Sequence, residues 1–118
     1  MPKIDLDGIR PSNATRYPPE YRSVVAGRWY RRLGTASGLT DFAVSHVTLE
    51  PGAWSAQRHW HEREDEFVVV LRGVVTLVEE SGDSVLRAGE CAAFPKGRPD
   101  GPCLVNRSAE RCQFIVVG

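Results

Sequence analysis

This sequence of 118 residues lacks long apolar runs, an excess of charge of one sign and a cysteine framework. No stretch approaches the run of about 18 apolar residues that a membrane-spanning helix needs, so we expect no membrane span. The 15 basic and 15 acidic side chains balance, which removes the general electrostatic argument for a nucleic-acid partner. The first ten residues contain no apolar core of a secretory signal, and we therefore expect a cytoplasmic protein.

Cysteine and the common catalytic motifs are also scarce. The three cysteines, at positions 91, 103 and 112, form no CxxC pair, and their odd number in a reducing compartment favours buried thiols over disulfides. The chain contains no GxSxG, no P-loop and no GxGxxG. These absences argue against a serine hydrolase of that type and against the usual nucleotide-binding sites.

What the chain does contain is a series of short β-branched and aromatic runs separated by turn residues. Apolar alternation over 41–49 and apolar runs over 67–71, 74–78 and 112–117 predict strands, with a hairpin turn at 81–83. No amphipathic helix of useful length is visible. Turn signals about every 8–12 residues predict one all-β domain, although this pattern alone leaves a jelly roll and other small barrels open.

Charge is distributed unevenly along the chain. Residues 1–33 contain seven basic and three acidic side chains, whereas the remainder contains eight and twelve. This segment is either a solvated basic arm that packs against an acidic body or an anion-binding arm, and we favour the first because its arginines are dispersed. We therefore divide the chain into an N-terminal arm, residues 1–33, that packs on the barrel or on a dimer partner, and a barrel, residues 34–118.

Two histidines and a carboxylate form the candidate metal site: His59, His61 and Glu66. Residues two apart on a strand share a face, so the two imidazoles would lie roughly 7 Å apart along the chain. Two imidazoles and one carboxylate can hold a divalent ion and leave coordination positions open for a ligand. Alternatively, the histidine spacing is a coincidence and the acidic run 62–66 is a solvated loop.

The sequence around these residues resembles the first motif of the cupin family. The motif is a glycine at 52, the His-x-His pair, Glu66 and a glycine at 73, with one extra residue between the first glycine and His59. GECAAFPKG at 89–97 and Asn106 resemble the second motif. The resemblance covers about residues 40–117 and implies a double-stranded antiparallel β-helix, or jelly-roll cupin barrel. It also implies that His59, His61 and Glu66 hold a divalent ion such as Zn, Fe, Mn or Ni.

One position departs from the family pattern. Metal-binding cupins place a further histidine four residues before the position of Asn106, and this chain has Pro102 there. A prolyl side chain cannot ligate a metal, so Asp100 or water would have to fill the gap. We still favour metal binding, because three protein ligands suffice for an open site. By strand parity, we expect Cys103 to face away from position 102 as an inert thiol.

Other polar residues are weaker candidates. His46 stands alone in an alternating strand, where a satisfied structural role is more common than metal ligation, so we leave it outside the ligand set. Arg58 and Arg107 could hold an anionic substrate at the mouth of the barrel. Surface ion pairs explain them equally well.

Three functions are compatible with this sequence. The first is a small metallo-cupin with a small polar or anionic ligand, for which the family implies isomerase, lyase or dioxygenase chemistry. The second is a non-catalytic small-molecule-binding module with a degenerate metal site, and the third is a dimerisation unit. No general base is evident beyond the metal ligands, so we assign no catalytic residue. We expect a homodimer, because exposed sheet edges need covering and the arm could lie across a partner's sheet.

Overall fold

The computed structural model describes residues 2–15, 17–55, 65–97 and 103–118. Within these ranges the chain forms eight strands, two short 3-10 helices at Leu6–Gly8 and Pro19–Val25, and one short α-helix, α1 (Leu33–Ser37). The strands are β1 (Arg28–Arg32), β2 (Val44–Leu49), β3 (Glu66–Arg72), β4 (Val74–Glu79), β5 (Gly82–Arg87), β6 (Cys91–Phe94), β7 (Cys103–Val105) and β8 (Cys112–Val117). The all-β prediction is therefore confirmed. None of the helices in these ranges is long and apolar enough to cross a membrane.

The strands form two antiparallel sheets. The larger sheet has the order β1-β2-β8-β3-β6, and the smaller sheet has the order β5-β4-β7. Consecutive strands pair in β1–β2 and β4–β5, whereas the pairing of β2 with β8 joins strands that are distant in sequence. This arrangement confirms the two-sheet jelly-roll architecture that the family resemblance implies.

Gly73 lets the chain pass from the larger sheet to the smaller one. It is the single residue between β3 and β4, and its backbone φ is +78°. A Cβ atom at this position would lie 2.8 Å from the carbonyl oxygen of Arg111, which is a steric clash. Glycine is required here for both reasons, and this is the physical basis of the glycine that closes the first motif.

The hydrophobic core lies between the two sheets. Strands alternate inward and outward, so every second residue of β2, β3 and β8 faces the smaller sheet. The core side chains of the larger sheet include Val47, Leu49, Val68, Val70 and Phe114, and those of the smaller sheet include Val75, Leu77, Leu86 and Leu104. Phe114 and Leu49 are fully buried in this core.

The N-terminal segment runs along the outer edge of the larger sheet. Tyr30 of β1 exchanges two backbone hydrogen bonds with Ser12, at 3.0 and 2.9 Å. The Tyr30 hydroxyl donates to the carbonyl oxygen of Ala14 (3.0 Å), and Arg31 Nε donates to that of Ile9 (2.7 Å). Residues 28–32 of the predicted arm are thus a strand of the sheet itself, paired with β2.

None of the three cysteines, all of which lie in the described ranges, forms a disulfide. Cys103 and Cys112 are buried, as expected, whereas Cys91 is exposed on β6. Burial raises the pKa of the Cys112 thiol to about 11, because the thiolate would be poorly solvated in the core. Cys112 is therefore a packing residue at neutral pH.

Candidate ligand cavity

A cavity of about 650 Å³ lies on the inner face of the larger sheet. Its volume is in the range of small-molecule sites. Much of its surface is apolar. The apolar side chains that line it come from both sheets and are Val47, Val68, Phe94, Leu104, Phe114 and Val116. Polar side chains such as Arg28, Ser55 and Glu66 also line it, and a few polar groups in an apolar cavity can orient a small polar ligand.

Glu66 forms part of one wall of this cavity. It begins β3, pairs with Phe94 of β6 and shares strand parity with the buried Val68. The preceding residue, Asp65, accepts a hydrogen bond from the backbone N–H of Lys96 (2.8 Å), which ties the start of β3 to the turn after β6. The carboxylate is half-buried and faces inward because the strand register places it there.

The other predicted metal ligands, His59 and His61, lie outside the described residues, as do Asp100 and Pro102. Among residues 2–15, 17–55, 65–97 and 103–118, no three His, Cys, Asp or Glu side chains lie close enough together to hold a metal ion. The predicted donor set fits a divalent transition metal by its chemistry, since imidazole nitrogen and carboxylate oxygen suit zinc, iron, manganese and nickel.

The opposite wall of the cavity is cationic and aromatic. Arg28, Tyr30 and Arg32 alternate along β1 and all three line the cavity. The guanidinium carbon of Arg28 lies 5.2 Å from the centre of the Tyr30 ring, and that of Arg32 lies 5.3 Å from it. Both cations therefore interact with one aromatic ring.

Arg28 is anchored more firmly than Arg32. Its Nη1 donates to the carbonyl oxygen of Ser55 (2.8 Å), and its Nη2 makes a longer contact with that of Ala14 (3.5 Å). Its Nε is buried and has no hydrogen-bond partner among the described residues. Burial lowers the pKa of Arg28, and the nearby positive charge of Arg32 adds to this effect.

Smaller polar groups complete the lining. Ser45 and Ser55 contribute hydroxyl groups, and Tyr17 and Cys103 also line the cavity. The Ser55 hydroxyl accepts a hydrogen bond from the backbone N–H of Leu104 (3.1 Å), which fixes its position. The buried Cys103 thus belongs to the cavity wall.

Asn106, which matches the end of the second motif, has a structural role. It is fully buried, and its amide group donates to the carbonyl oxygens of Leu49 (2.9 Å) and Glu110 (2.7 Å). Its Oδ1 accepts hydrogen bonds from the backbone N–H (3.0 Å) and hydroxyl (2.7 Å) of Ser108. Asn106 therefore joins β2 to the turn before β8.

Two other candidates from the sequence lie away from the cavity. Arg107 forms an ion pair with Asp83, and its guanidinium lies 5.8 Å from the centre of the Trp54 ring. His46 is buried on the outer face of β2, where its Nδ1 has no partner among the described residues. Burial and the nearby Arg31 lower the pKa of His46. Arg58 lies outside the described residues.

The cavity wall formed by Arg28, Tyr30 and Arg32, here called the arginine wall, is the part of the site that the sequence analysis did not identify. The dispersal of arginines along residues 1–33 favours a solvated basic arm, but dispersal along the chain does not show which arginines share one face of a strand. RWYRR at 28–32 would place alternate residues on one face if it were recognised as a strand. That signal was available, although short polar strands are difficult to identify from periodicity alone.

Comparison with known proteins places this chain in a family. The cupin-domain family model matches residues 45–118. A cupin-superfamily sugar phosphate isomerase from Silicibacter pomeroyi has 45% sequence identity and a TM-score of 0.95, over 98% of this chain and 74% of its own. A proposed sugar phosphate isomerase from Acidithiobacillus ferrooxidans has 30% identity and a TM-score of 0.72, over 76% of this chain and 57% of its own.

A third comparison extends only to the fold. The polyketide cyclase RemF from Streptomyces resistomycificus has 21% identity and a TM-score of 0.79, over 99% of this chain and 78% of its own. No curated protein matches the chain. The family match, the two-sheet architecture and the 45% identity to the Silicibacter protein agree. The chain therefore belongs to the cupin family.

Proposed function

We propose that this protein binds a phosphorylated sugar in the cavity and holds a divalent metal ion through His59, His61 and Glu66. The observation that carries the proposal is the cavity of about 650 Å³ with Glu66 in its wall. Glu66 is the only proposed ligand within the described residues, and it faces this cavity. The Silicibacter sugar phosphate isomerase, at 45% identity, supports the choice of ligand class.

The cavity lining suits a ligand of this class. A sugar has polar hydroxyl edges and less polar faces, and the cavity offers hydroxyl groups beside apolar side chains such as Val47 and Phe114. Ser45, Ser55 and Glu66 are placed to exchange hydrogen bonds with sugar hydroxyls. The apolar side chains exclude water and thereby strengthen these hydrogen bonds.

When bound, a divalent ion would act as a Lewis acid on an oxygen of the ligand. His59 and His61 would supply neutral nitrogen donors, and Glu66 would supply a charged oxygen donor. The three side chains together would leave coordination positions open for that oxygen. Whether the bound sugar is also isomerised depends on a proton-transferring group, and we assign none.

A second candidate function is a non-catalytic sugar-phosphate-binding module. Pro102, at the position where metal-binding cupins place a further histidine, favours this alternative. A site with fewer protein ligands binds metal more weakly, and loss of even an outer partner costs about 10–100-fold in affinity. This alternative retains the cavity and the ligand class.

Metal content tests the metal part of the proposal. We expect near-stoichiometric metal by mass spectrometry in untagged protein reconstituted with Zn, Fe, Mn or Ni, and little metal in the His59→Ala/His61→Ala variant. His46→Ala is the matched control, because His46 lies on the outer face of β2 and should leave the metal content unchanged. A parent protein that stays empty after reconstitution would exclude the metal site and favour the binding module.

Ligand binding tests the other part. Isothermal titration with glucose 6-phosphate, ribose 5-phosphate and their unphosphorylated sugars should show affinity for at least one phosphorylated sugar. An aldose–ketose isomerisation assay with the same compounds, followed by NMR, then separates an enzyme from a binding module. Absence of any sugar or sugar-phosphate binding to the metal-loaded protein would overturn the assignment of the ligand class.

We also propose that the protein is a homodimer. The outer face of the larger sheet carries an apolar stripe in register across two strands, with Phe67 and Val69 of β3 opposite Val117 and Ile115 of β8. Phe67 is 44% exposed, which is high for a large apolar side chain. Light scattering after size exclusion should give twice the chain mass, and Phe67→Glu should shift it toward the monomer. A stable monomer at high concentration would contradict the dimer.

A further inference from the structure

Strand β1 turns three side chains toward the cavity because of its register with β2. Arg28 pairs with Leu49, Tyr30 with Val47 and Arg32 with Ser45. Val47 and Ser45 line the cavity, so the alternate residues of β1 face the same space. Two positive charges are thus carried into the ligand site by a segment that lies outside the matched family region, which begins at residue 45.

These two charges have no acidic partner in the part of the chain that the structure describes. The side chain of Arg32 makes neither a hydrogen bond nor an ion pair there, and the buried Nε of Arg28 has no acceptor. Arg28 does donate to two backbone carbonyl oxygens, but these are neutral. A partly buried guanidinium without an anionic partner is costly, and the cost is larger with a second one nearby.

Other arginines of the molecule are satisfied differently. Arg107 forms an ion pair with Asp83, and Arg111 lies 3.7 Å from Glu50. Arg31, between the two cavity arginines in sequence, points to the other face and donates to the carbonyl oxygen of Ile9 (2.7 Å). Arg28 and Arg32 differ from these residues in that both charges lie in the lining of one cavity.

We propose that Arg28 and Arg32, with Tyr30 between them, bind the phosphate group of the ligand. This inference rests on the proposed function for the identity of the ligand, and it names the residues that select a phosphorylated sugar over a neutral one. Guanidinium groups match phosphate oxygens through paired N–H donors, and their hydrogen bonds to an anion are stronger than those to a neutral acceptor. Tyr30 holds both guanidinium groups over one ring, which limits their freedom before the ligand arrives.

The topology then fixes how the ligand lies. Two strands, β2 and β8, separate β1 from β3, so the backbones carrying the arginines and Glu66 are roughly 14 Å apart across the sheet. Side chains from both walls line the same cavity, whose volume of about 650 Å³ is in the range of small-molecule sites. We therefore expect the phosphate at β1 and the hydroxyl or carbonyl end of the sugar near Glu66.

Affinity measurements on Arg32 variants test the proposal with the least risk to folding, because Arg32 makes no hydrogen bond within the described residues. The probes are glucose 6-phosphate, ribose 5-phosphate, the two neutral sugars, glucuronate and inorganic phosphate. For Arg32→Gln we expect phosphorylated sugars to bind about 10–100-fold more weakly, as expected for loss of hydrogen bonds to a charged group. Affinity for neutral sugars and the metal content should stay unchanged.

Two further variants separate charge from geometry. Arg32→Lys keeps the charge but loses the paired donors, and it should recover only part of the affinity. Arg28→Gln should weaken binding at least as much, with its melting temperature measured in parallel because it also removes a hydrogen bond to Ser55. Arg72→Gln/Arg87→Gln removes two exposed charges outside the cavity, and this control should bind like the parent protein.

The outcomes distinguish this inference from the proposed function. If phosphorylated sugars bind the parent and Arg32→Gln equally well, the phosphate lies elsewhere and the inference is wrong, while the ligand class stands. If no sugar binds but inorganic phosphate or glucuronate binds in an Arg32-dependent way, the anion site stands and the ligand class is wrong. If neither phosphate nor any sugar binds the parent protein, both are wrong.

Discussion

The two walls of the cavity differ in charge and in how they are held. Glu66 belongs to β3, which lies between β8 and β6 inside the larger sheet. Arg28 and Arg32 belong to β1, which is the edge strand of the same sheet and is paired on its outer side by an isolated bridge at Ser12. The carboxylate wall is thus built into the fold, whereas the arginine wall is added at its margin.

This difference indicates that β3 and β1 have different roles in the site. The interior strand carries the motif residue that the family resemblance assigns to metal binding, and it cannot shift without disturbing the core. The edge strand has fewer neighbours, so its side chains can change with little effect on the core. We infer that ligand class is selected at β1 and metal chemistry at β3.

The largest expected effect, on the free energy of unfolding, comes from removing the side chain of Phe114, whose strand lies between the two walls of the cavity. Phe114 of β8 is fully buried and lines the cavity. Phe114→Ala should lower the free energy of unfolding by about 3–5 kcal/mol, through lost burial and an enlarged cavity. Urea denaturation followed by tryptophan fluorescence measures this. Phe42→Ala, at a side chain that is 50% exposed, is the control and should cost far less. A loss below about 1 kcal/mol for Phe114→Ala would show that neighbouring side chains repack into the space that Phe114 leaves. Phe114 would then not hold the two walls of the cavity apart.

The next largest effect distinguishes metal binding at Glu66 from phosphate binding at the arginine wall. Glu66→Gln keeps the size of the side chain but removes the anionic donor, so we expect metal affinity to fall at least about tenfold. Binding of inorganic phosphate at the arginine wall should be unchanged. Metal titration monitored by mass spectrometry and phosphate titration by calorimetry measure the two effects. Glu20→Gln, on the exposed 3-10 helix, is the control for loss of one negative charge. Equal metal content in Glu66→Gln and the parent would remove Glu66 from the ligand set.

A smaller effect distinguishes the two arginines of β1. Arg28→Gln should lower the free energy of unfolding by about 1–3 kcal/mol, because it removes a charged donor from the carbonyl oxygens of Ser55 and Ala14. Arg32→Gln should change stability by less than about 0.5 kcal/mol, as is usual for an exposed side chain. Chemical denaturation of the two variants at the same ionic strength gives the contrast. Equal losses would mean that Arg32 has a structural role in addition to binding.

The smallest expected effect concerns the outer face of the sheet. Burial lowers the pKa of His46 in the folded state, so the unfolded chain binds the proton more readily. The stability that the neutral imidazole contributes is therefore present above about pH 6.5 and is lost as the pH falls toward the folded-state pKa. Denaturation midpoints between pH 7.5 and pH 5 should fall less steeply in His46→Gln than in the parent. Parallel slopes would show that His46 does not contribute to the acid sensitivity.

Much of the fold could be predicted from short-range patterns. The β-branched runs that became β3, β4 and β8 are long and apolar, and the glycines and prolines between them mark the turns. The hairpin turn was placed one residue late, since β5 already begins at Gly82. Such patterns succeed because strand parity and turn chemistry act over a few residues.

Residues 1–33 were harder to interpret because their structure depends on distant partners. Val24 and Val25 end a 3-10 helix in which Val25 is fully buried. RWYRR carries only two aromatic residues among three arginines and becomes a strand by pairing with β2. Local propensity did not reveal this, since the hydrogen bonds that make an edge strand come from its neighbour.

The sequence by itself determined the class of fold, the two linked motifs and the choice of Glu66 as a candidate site residue. These follow from spacing, because parity and glycine geometry are properties of the local chain. The tertiary structure alone decided that Arg28 and Arg32 share the cavity with Glu66, and that Arg107 and His46 do not. The physical reason is register: the pairing of β1 with β2 turns alternate side chains inward, and no local feature of the chain sets that register.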